Sequence, residues 1–282
     1  MIKSLALIVL AAGSITAQTA AIASAQNFYQ RTEYEKAIQA VGASQDAAAL
    51  ALAGKSYFHL GDFKKASELL GKAAEKMPGN SSLMHWLGKA YGRRAETSSF
   101  LTAPRWAGRC RDAFEKAVEL DGKNLEALSD LMEYYLEAPG FLGGGFDKAA
   151  AIAARMRAIH AAEGESAQAR LAEKKKDWPA SEKHLRKALE LEPGELGRAL
   201  DLAKFLARRE RWNESEEMFA RAAKMAPEHP RLLFARAEVL VEHKRNLGEA
   251  RRLLEKYLKS ALTPDDPSRR EAAELLKKAK ES

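Results

Sequence analysis

A repeated spacing of 34 residues is the feature that most restricts what this 282-residue chain can fold into. Gly54 and Gly88 are 34 residues apart, and so are Pro193 and Pro227. A fixed spacing of this size indicates an array of small units, each built from two helices that stack on their neighbours. Aromatic residues make up only 7% of the chain, and the abundant alanine, leucine, glutamate, lysine and arginine favour helices over strands. The sequence therefore predicts an all-α fold.

The landmark residues of one unit identify the type of repeat. The unit that begins near residue 47 contains, in order, Gly54, Tyr57, Gly61, Asp62, Phe63, Ala66, Leu70, Ala73 and Pro78. This series resembles the tetratricopeptide repeat (TPR). The resemblance implies a TPR α-solenoid, which is a right-handed superhelix of antiparallel helix pairs with a concave groove. We predict repeats near residues 47–80, 81–124, 125–161, 162–195, 196–229 and 230–262.

The ends and the interior of the array depart from this regular pattern. The segment from Tyr34 to Val41 is typical of the second helix of a broken first unit, and residues 267–280 are typical of a charged C-terminal capping helix. Between Tyr91 and Cys110 the chain has about ten residues more than the repeat needs, and between Tyr135 and Ala149 about five more. Both insertions fall between the first and second helix of a unit, so we expect two loops at the same edge of the solenoid.

Residues 1–25 have the layout of a secretory signal peptide. Lys3 supplies a positive start, an apolar run extends from 5 to 12, and Ala23, Ser24 and Ala25 form a small-residue cleavage site. We predict cleavage after Ala25, with Ala17 as the alternative. Polar residues interrupt the apolar run before it reaches the ~20 residues that a membrane span needs. The sequence therefore predicts an exported protein, periplasmic or secreted, whose solenoid comprises residues 26–282.

No arrangement of residues typical of catalysis is present. The sequence lacks the short motifs of zinc proteases, serine hydrolases, redox dithiols and phosphate-binding loops. The six histidines show no metal-ligand spacing, although stacking could bring His59 close to His85. Cys110 is the only cysteine, so an internal disulfide is excluded, and we interpret it as a core residue. We therefore predict no catalytic residue, no cofactor and no metal, and a protein that is not an enzyme.

A basic and aromatic strip is the main candidate for partner binding. In TPR proteins the first helices of successive units line the groove, and the net charge of +7 favours an anionic partner. Where the chaperone-binding members of the family have lysine and asparagine, this chain has Ala51 and Lys55, which argues against binding of chaperone tails but not against groove binding. The alternative is that these charges only keep the solenoid soluble. The predicted groove residues are Lys55, Phe58, His59, His85, Trp86, Lys89 and Arg93.

These features predict a non-catalytic scaffold of the cell envelope that binds a protein or peptide, acidic in character, in the TPR groove. The alternative is a permanent structural subunit of an envelope assembly or secretion complex. Nucleic acid is not expected as a partner, whereas peripheral association with envelope membranes and the oligomeric state are left open. Trp106, Phe141 and Leu142 in the insertions are further partner-binding candidates, or both loops fold back and pack on the solenoid.

Overall fold

The computed structural model describes residues 18–281, which are helical with no β-strand in that range. Residues 1–17, which contain most of the predicted signal peptide, lie outside the described residues. The chain divides into two compact units, one that ends at Ala127 (unit 1) and one that begins at Leu128 (unit 2). None of the helices described is both long and apolar enough to span a membrane.

Helices pair along the chain as expected for tandem repeats. Unit 1 contains α1 (18–30), α2 (Tyr34–Val41), α3 (Ala47–His59), α4 (Phe63–Lys76), α5 (Ser81–Glu96), α6 (Ala103–Leu120) and the start of α7 (Leu125–Glu137). Unit 2 contains the rest of α7, a 3-10 turn (Gly140–Leu142), α8 (Phe146–Ile159), α9 (Ala161–Lys174), α10 (Trp178–Leu191), α11 (Leu196–Arg208), α12 (Trp212–Met225), α13 (Pro230–Glu242), α14 (Leu247–Lys259) and α15 (Arg269–Glu281).

Short polar side chains fix where several helices begin. The carboxylate of Asp46 accepts hydrogen bonds from the amides of Ala48 and Ala49 at the start of α3. Asn80 caps α5 in the same way through the amide of Leu83, at 2.9 Å. These side chains satisfy amides that have no partner within the helix, so each new helix starts at a defined residue.

Glycines allow the two helices of a repeat to approach closely. A Cβ atom on Gly54 of α3 would lie 2.7 Å from Cγ of Leu70 on α4, and one on Gly88 of α5 would lie 2.4 Å from the Phe114 ring on α6. Leu70 and Phe114 are themselves buried. The landmark glycines of the sequence therefore mark the points of closest packing between paired helices.

A cation–aromatic contact recurs between consecutive repeats, and we call this series the inter-repeat ladder. In each case the aromatic residue is the first residue of the second helix of one repeat. The cation lies near the end of the first helix of the next repeat, over the aromatic ring. The distances from the cationic centre to the ring centroid range from 4.2 to 5.1 Å. The pairs are Phe63–Arg93 in unit 1 and Phe146–Lys175, Trp178–Arg209 and Trp212–Arg245 in unit 2.

The all-α architecture of paired helices with a final helix after the last pair is confirmed. The first repeat differs from expectation. The unit that contains α2 is not broken, because α1 supplies its first helix and packs Tyr29 edge-on against Tyr34, with ring centroids 5.6 Å apart. Ala25 of α1 is completely buried in the same apolar cluster. Residues 18–25, which the sequence interpretation assigned to the leader, are thus part of this packed helix.

The first predicted loop is mostly helix. Most of the additional residues lengthen α5 and α6, so only residues 97–102 are left to connect them. Trp106 is therefore a residue of α6 and not of a loop, which corrects the prediction. Pro104 lies in the first turn of α6, where its missing amide hydrogen costs little because the helix has no carbonyl four residues earlier to accept from it. Phe141 and Leu142 do lie in a turn, the 3-10 segment between α7 and α8.

Candidate functional site

Trp86 lies at the centre of the basic and aromatic strip of unit 1. Phe58 contacts the indole edge-on, with centroids 5.5 Å apart and ring planes at 87°. The ammonium of Lys89 lies 4.4 Å from the centroid of the indole, and that of Lys55 lies 5.1 Å from it. Lys55 and Phe58 share one face of α3, and Trp86 and Lys89 share one face of α5, because each pair is three residues apart. We use "the strip" for Lys55, Phe58, His59, Trp86, Lys89 and Arg93.

The two ends of the strip are tied to neighbouring helices. His59 stacks on Tyr34 with ring centroids 4.5 Å apart and planes at 3°, and its Nε2 shares a 3.1 Å hydrogen bond with the hydroxyl of Tyr29. Arg93 lies over Phe63 as part of the inter-repeat ladder and forms an ion pair with Glu96. These contacts fix the ends of the strip, whereas its centre around Trp86 is the part that offers unneutralised charge.

His85 does not belong to this surface, which corrects the sequence prediction. Its side chain is buried, with the whole residue 2% exposed, and its ring lies 5.7 Å from that of Phe114 on α6. One residue along a helix corresponds to a rotation of about 100°, so a neighbour of Trp86 turns away from the face that Trp86 occupies. The structure therefore places His59 in the strip and His85 against α6.

Lys55 and Lys89 carry the electrostatic character of the strip. Neither ammonium forms an ion pair with another residue in the range 18–281. Burial lowers the pKa of the Lys55 ammonium; the carboxylate of Glu126 opposes this shift, and the positive charge of Lys89 adds to it. Two cations that share one indole and form no ion pair within the described residues make a site that an anionic group would stabilise.

Three cations on the equivalent first helices α9 and α11 of unit 2 are neutralised. The guanidinium of Arg170 pairs with both Glu133 and Glu173, and Lys204 lies 2.7 Å from Glu238. Arg208 also reaches Glu173, at 2.9 Å. Because opposite charges already compensate one another on these helices, the unneutralised lysines of unit 1 distinguish the strip from its counterparts.

The insertion residues differ in how they are placed. Trp106 packs within unit 1, stacked on Tyr91 with centroids 5.8 Å apart and covered by the guanidinium of Arg94 at 3.5 Å. In unit 2, Phe141 is 82% exposed, whereas Leu142 is partly buried and its carbonyl accepts a 2.9 Å hydrogen bond from Tyr134. The partner-binding role predicted for these three residues stays a prediction.

Sequence reasoning missed two buried charge clusters of unit 2. Arg198 bridges Glu163 and Glu192 at 2.7 and 2.8 Å. Burial acts to lower the pKa of the Arg198 guanidinium, but the hydrogen bonds to these two carboxylates outweigh it and raise the pKa. Glu165 is buried between Arg157 at 3.0 Å and His184 at 2.6 Å. The only sequence signal was that charged residues stand at positions that adjacent repeats bring together. In both clusters the buried charged group is paired with oppositely charged or hydrogen-bonding side chains of neighbouring helices.

The described residues contain no cluster of the usual metal-binding side chains. No group of three or more histidine, cysteine, aspartate or glutamate residues in the range 18–281 is arranged to hold a metal ion. Unit 2 contains a cavity of about 870 Å³ between α11, α13 and α15, and the Lys204–Glu238 ion pair lies on its wall.

Comparison with known proteins relates this geometry to solved structures. A TPR protein from Thermus thermophilus superimposes with a TM-score of 0.55 at 20% identity, over 67% of this chain and 99% of that one. A TPR protein from Parabacteroides merdae gives a TM-score of 0.59 at 11% identity, over 94% and 99% of the two chains. The chain has the tetratricopeptide-repeat fold.

A third solved structure, from human, is also similar to the chain. The human IFIT1 dimer with PPP-AAAA superimposes with a TM-score of 0.52 at 21% identity, over 85% of this chain and 54% of that one. No family model and no curated protein matches the sequence. At these identities the likeness is one of fold, so the partner of this TPR chain has to be argued from its own residues.

Proposed function

We propose that this TPR chain is a non-catalytic interaction scaffold that binds an acidic or C-terminal segment of a protein partner at the strip. TPR-fold neighbours suggest a protein–protein interaction scaffold. The observation that supports the finer proposal is the placement of the Lys55 and Lys89 ammonium groups, 5.1 and 4.4 Å from the Trp86 centroid, without a carboxylate partner in residues 18–281.

The chemistry of the strip fits a short segment that carries both a carboxylate and an apolar side chain. A carboxylate placed between Lys55 and Lys89 relieves the repulsion between the two ammonium groups and favours the charged form of Lys55, whose pKa is lowered in the unbound chain. The exposed parts of Phe58 and Trp86 offer an aromatic surface to a neighbouring side chain. Aromatic anchors beside charged groups are typical of residues that contribute most to binding.

A permanent structural subunit is the alternative to this transient binding. A permanent interface is expected to be larger and more apolar than the surrounding surface. The most exposed large apolar residues described are Phe100, Leu101 and Phe141, and all three lie in turns between helices. The half-buried, charged strip fits a partner that binds and leaves.

Export to the cell envelope is also part of the proposal, and it rests on the sequence of residues 1–25. Cleavage after Ala25 would remove Ile22 and Ala25 from the apolar cluster that contains Tyr29 and Tyr34, whereas cleavage after Ala17 would leave that cluster complete. N-terminal sequencing of the exported chain distinguishes the two sites. A chain that still begins at Met1 would contradict export by a cleaved leader.

The test of the strip uses arrays of short peptides that end in acidic residues, each synthesised with a free and with an amidated C-terminus. We expect the double variant Lys55→Glu/Lys89→Glu to lose binding by at least about tenfold, because it replaces two attractive charges by repulsive ones. The control is Lys72→Glu/Lys76→Glu, which makes the same charge change on exposed positions of α4. Equal binding by both variants in low salt would refute the proposal.

A further inference from the structure

The turn between α5 and α6 exposes two large apolar side chains. Residues 97–102 form this turn, and within it Phe100 is 83% exposed and Leu101 is 76% exposed. The two residues are adjacent in sequence, and neither side chain folds back into the core of unit 1. Exposed apolar residues of this size, placed side by side, indicate contact with something outside the chain.

Arginines surround the base of this turn. The guanidinium carbons of Arg94, Arg105 and Arg109 lie 3.5, 5.3 and 5.2 Å from the centroid of the Trp106 ring. Arg105 and Arg109 are exposed and form no ion pair with any residue in the range 18–281. The sequence from 97 to 111 contains three arginines and no acidic residue. The turn therefore combines protruding apolar side chains with a local excess of positive charge.

We propose that this surface docks unit 1 onto an anionic lipid bilayer. We call it the α5–α6 tip and define it by Phe100, Leu101, Arg105, Trp106 and Arg109. Phe100 and Leu101 enter the boundary between headgroups and acyl chains, where apolar side chains need to be buried only a few Å deep. Arg105 and Arg109 then lie at the level of the lipid phosphates and bind them. The tip shares no residue with the strip, so the two proposals are independent.

The contacts of Trp106 favour a bilayer over nucleic acid. Binding of single-stranded nucleic acid uses open aromatic faces on which bases stack. The Trp106 ring is stacked against Tyr91 at 5.8 Å and covered by Arg94 at 3.5 Å, so its faces are already in contact with side chains. Phosphate binding alone would also leave Phe100 and Leu101 without a role. A bilayer with anionic headgroups accommodates both the apolar pair and the arginines.

Co-sedimentation of the full chain with vesicles tests the proposal. Phosphatidylcholine vesicles with about a quarter phosphatidylglycerol are compared with pure phosphatidylcholine vesicles. We expect binding to the anionic vesicles only. Two double variants should each weaken binding to the anionic vesicles: Phe100→Ser/Leu101→Ser and Arg105→Glu/Arg109→Glu. The arginine variant should weaken it by about fivefold or more for each arginine replaced. The controls are Arg251→Glu/Arg252→Glu, which makes the same double charge reversal at exposed positions of α14, and Leu191→Ser, which makes a single apolar-to-serine change at an exposed position of α10; both should bind like the unchanged chain.

Insertion of the apolar pair is measured separately from adsorption. In the variant Phe100→Trp, tryptophan emission should shift to the blue when anionic vesicles are added, and lipids brominated near the headgroup should quench it. Circular dichroism of each variant establishes that the helices are intact. The proposal is overturned if the unchanged chain does not bind anionic vesicles, if Phe100→Ser/Leu101→Ser binds as well as the unchanged chain, or if an RNA oligonucleotide binds through Arg105 and Arg109 while vesicles do not.

Discussion

Single glycines determine how closely the helices of a repeat pack, and this can be measured at two positions of unit 1. A Cβ on Gly88 would meet the buried ring of Phe114 at 2.4 Å, whereas a Cβ on Gly71 of α4 has no atom within 4 Å. We expect Gly88→Ala to lower the free energy of unfolding by ~1–3 kcal/mol through overpacking. Gly71→Ala should raise it by ~0.5–1 kcal/mol, because alanine favours the helix. Urea unfolding of both variants checks this, and equal effects would contradict it.

A second residue-scale prediction concerns the pH dependence that Lys55 confers. Its pKa is lowered in the folded chain, chiefly by burial. Between this lowered pKa and the ordinary lysine value the unfolded chain binds a proton that the folded chain does not, so the free energy of unfolding rises with pH in that window. Lys55→Met removes this rise, whereas Lys72→Met at an exposed position retains it. Urea midpoints at about pH 7 and about pH 10 measure the difference. A Lys55→Met profile parallel to the unchanged one would contradict it.

Part of the strip was predictable at this scale and part was not. Lys55 and Phe58, like Trp86 and Lys89, are three residues apart, so helical periodicity alone places each pair on one face. His85 was misassigned because it was grouped with Trp86, its neighbour in sequence, although a rotation of about 100° per residue turns it toward Phe114 of α6. The ion pair between Arg170 and Glu133 connects residues of different repeats, and its formation depends on a packing register that the sequence does not show.

At the scale of helices, the inter-repeat ladder gives four of the described junctions a contact of the same kind. In unit 2 the guanidinium of Arg209 lies 4.5 Å from the Trp178 centroid, and that of Arg245 lies 4.3 Å from the Trp212 centroid. The aromatic residue begins the second helix of one repeat, and the cation follows the first helix of the next repeat. The contact therefore links the turns of adjacent repeats, at the edge of the apolar core on which Trp178 and Trp212 also pack.

We expect a double-mutant cycle at Trp178 and Arg209 to show this coupling. The variants Trp178→Leu, Arg209→Gln and their combination should give an interaction of about 0.5–1 kcal/mol, the usual value for an exposed cation–aromatic pair. Urea unfolding supplies the four free energies. A cycle that pairs Trp178→Leu with Arg252→Gln on α14 is the control and should show no interaction. Additive effects of Trp178→Leu and Arg209→Gln would show that the ladder contributes nothing to stability.

Helix boundaries show where sequence reasoning reached its limit at this scale. The 34-residue spacing predicted the regular pairs, because the positions of small and large apolar residues repeat with it. The first insertion was predicted as a loop, yet most of its residues lengthen α5 and α6. The number of additional residues in a repeat does not determine whether those residues form a loop or extend the helices. Similarly, small apolar residues from 18 to 25 fit both a leader and the packed helix α1, and sequence alone does not separate the two.

For the whole molecule, the repeat architecture implies that stability is distributed along the chain. Among the described helices the contacts join elements that are neighbours in the chain or one helix removed, as for α3 with α4 and α11 with α13. In such arrays stability is close to a sum of local terms, so a defect in one repeat has mainly local effects. A single free energy of unfolding then describes the chain incompletely.

Hydrogen exchange of the Gly88→Ala variant tests this at the molecular scale. We expect faster amide exchange in α5 and α6, which the substitution forces apart, and unchanged exchange in α11 to α14 of unit 2. Gly71→Ala is again the control and should leave exchange in α5 and α6 unchanged. Faster exchange along the entire chain would show that the repeats unfold as one cooperative block.

Cys110 provides a chemical probe of these openings without any change of sequence. It is the only cysteine of the chain, it is 4% exposed, and its sulfur lies 3.3 Å from where a Cβ on Gly92 would stand. A thiol reagent can reach this sulfur only after α5 and α6 separate. At low reagent concentration the alkylation rate therefore reports how often the pair is open, and at high concentration it approaches the opening rate itself. Because the α5–α6 tip joins these two helices, vesicles that hold the tip should slow alkylation of the unmodified protein.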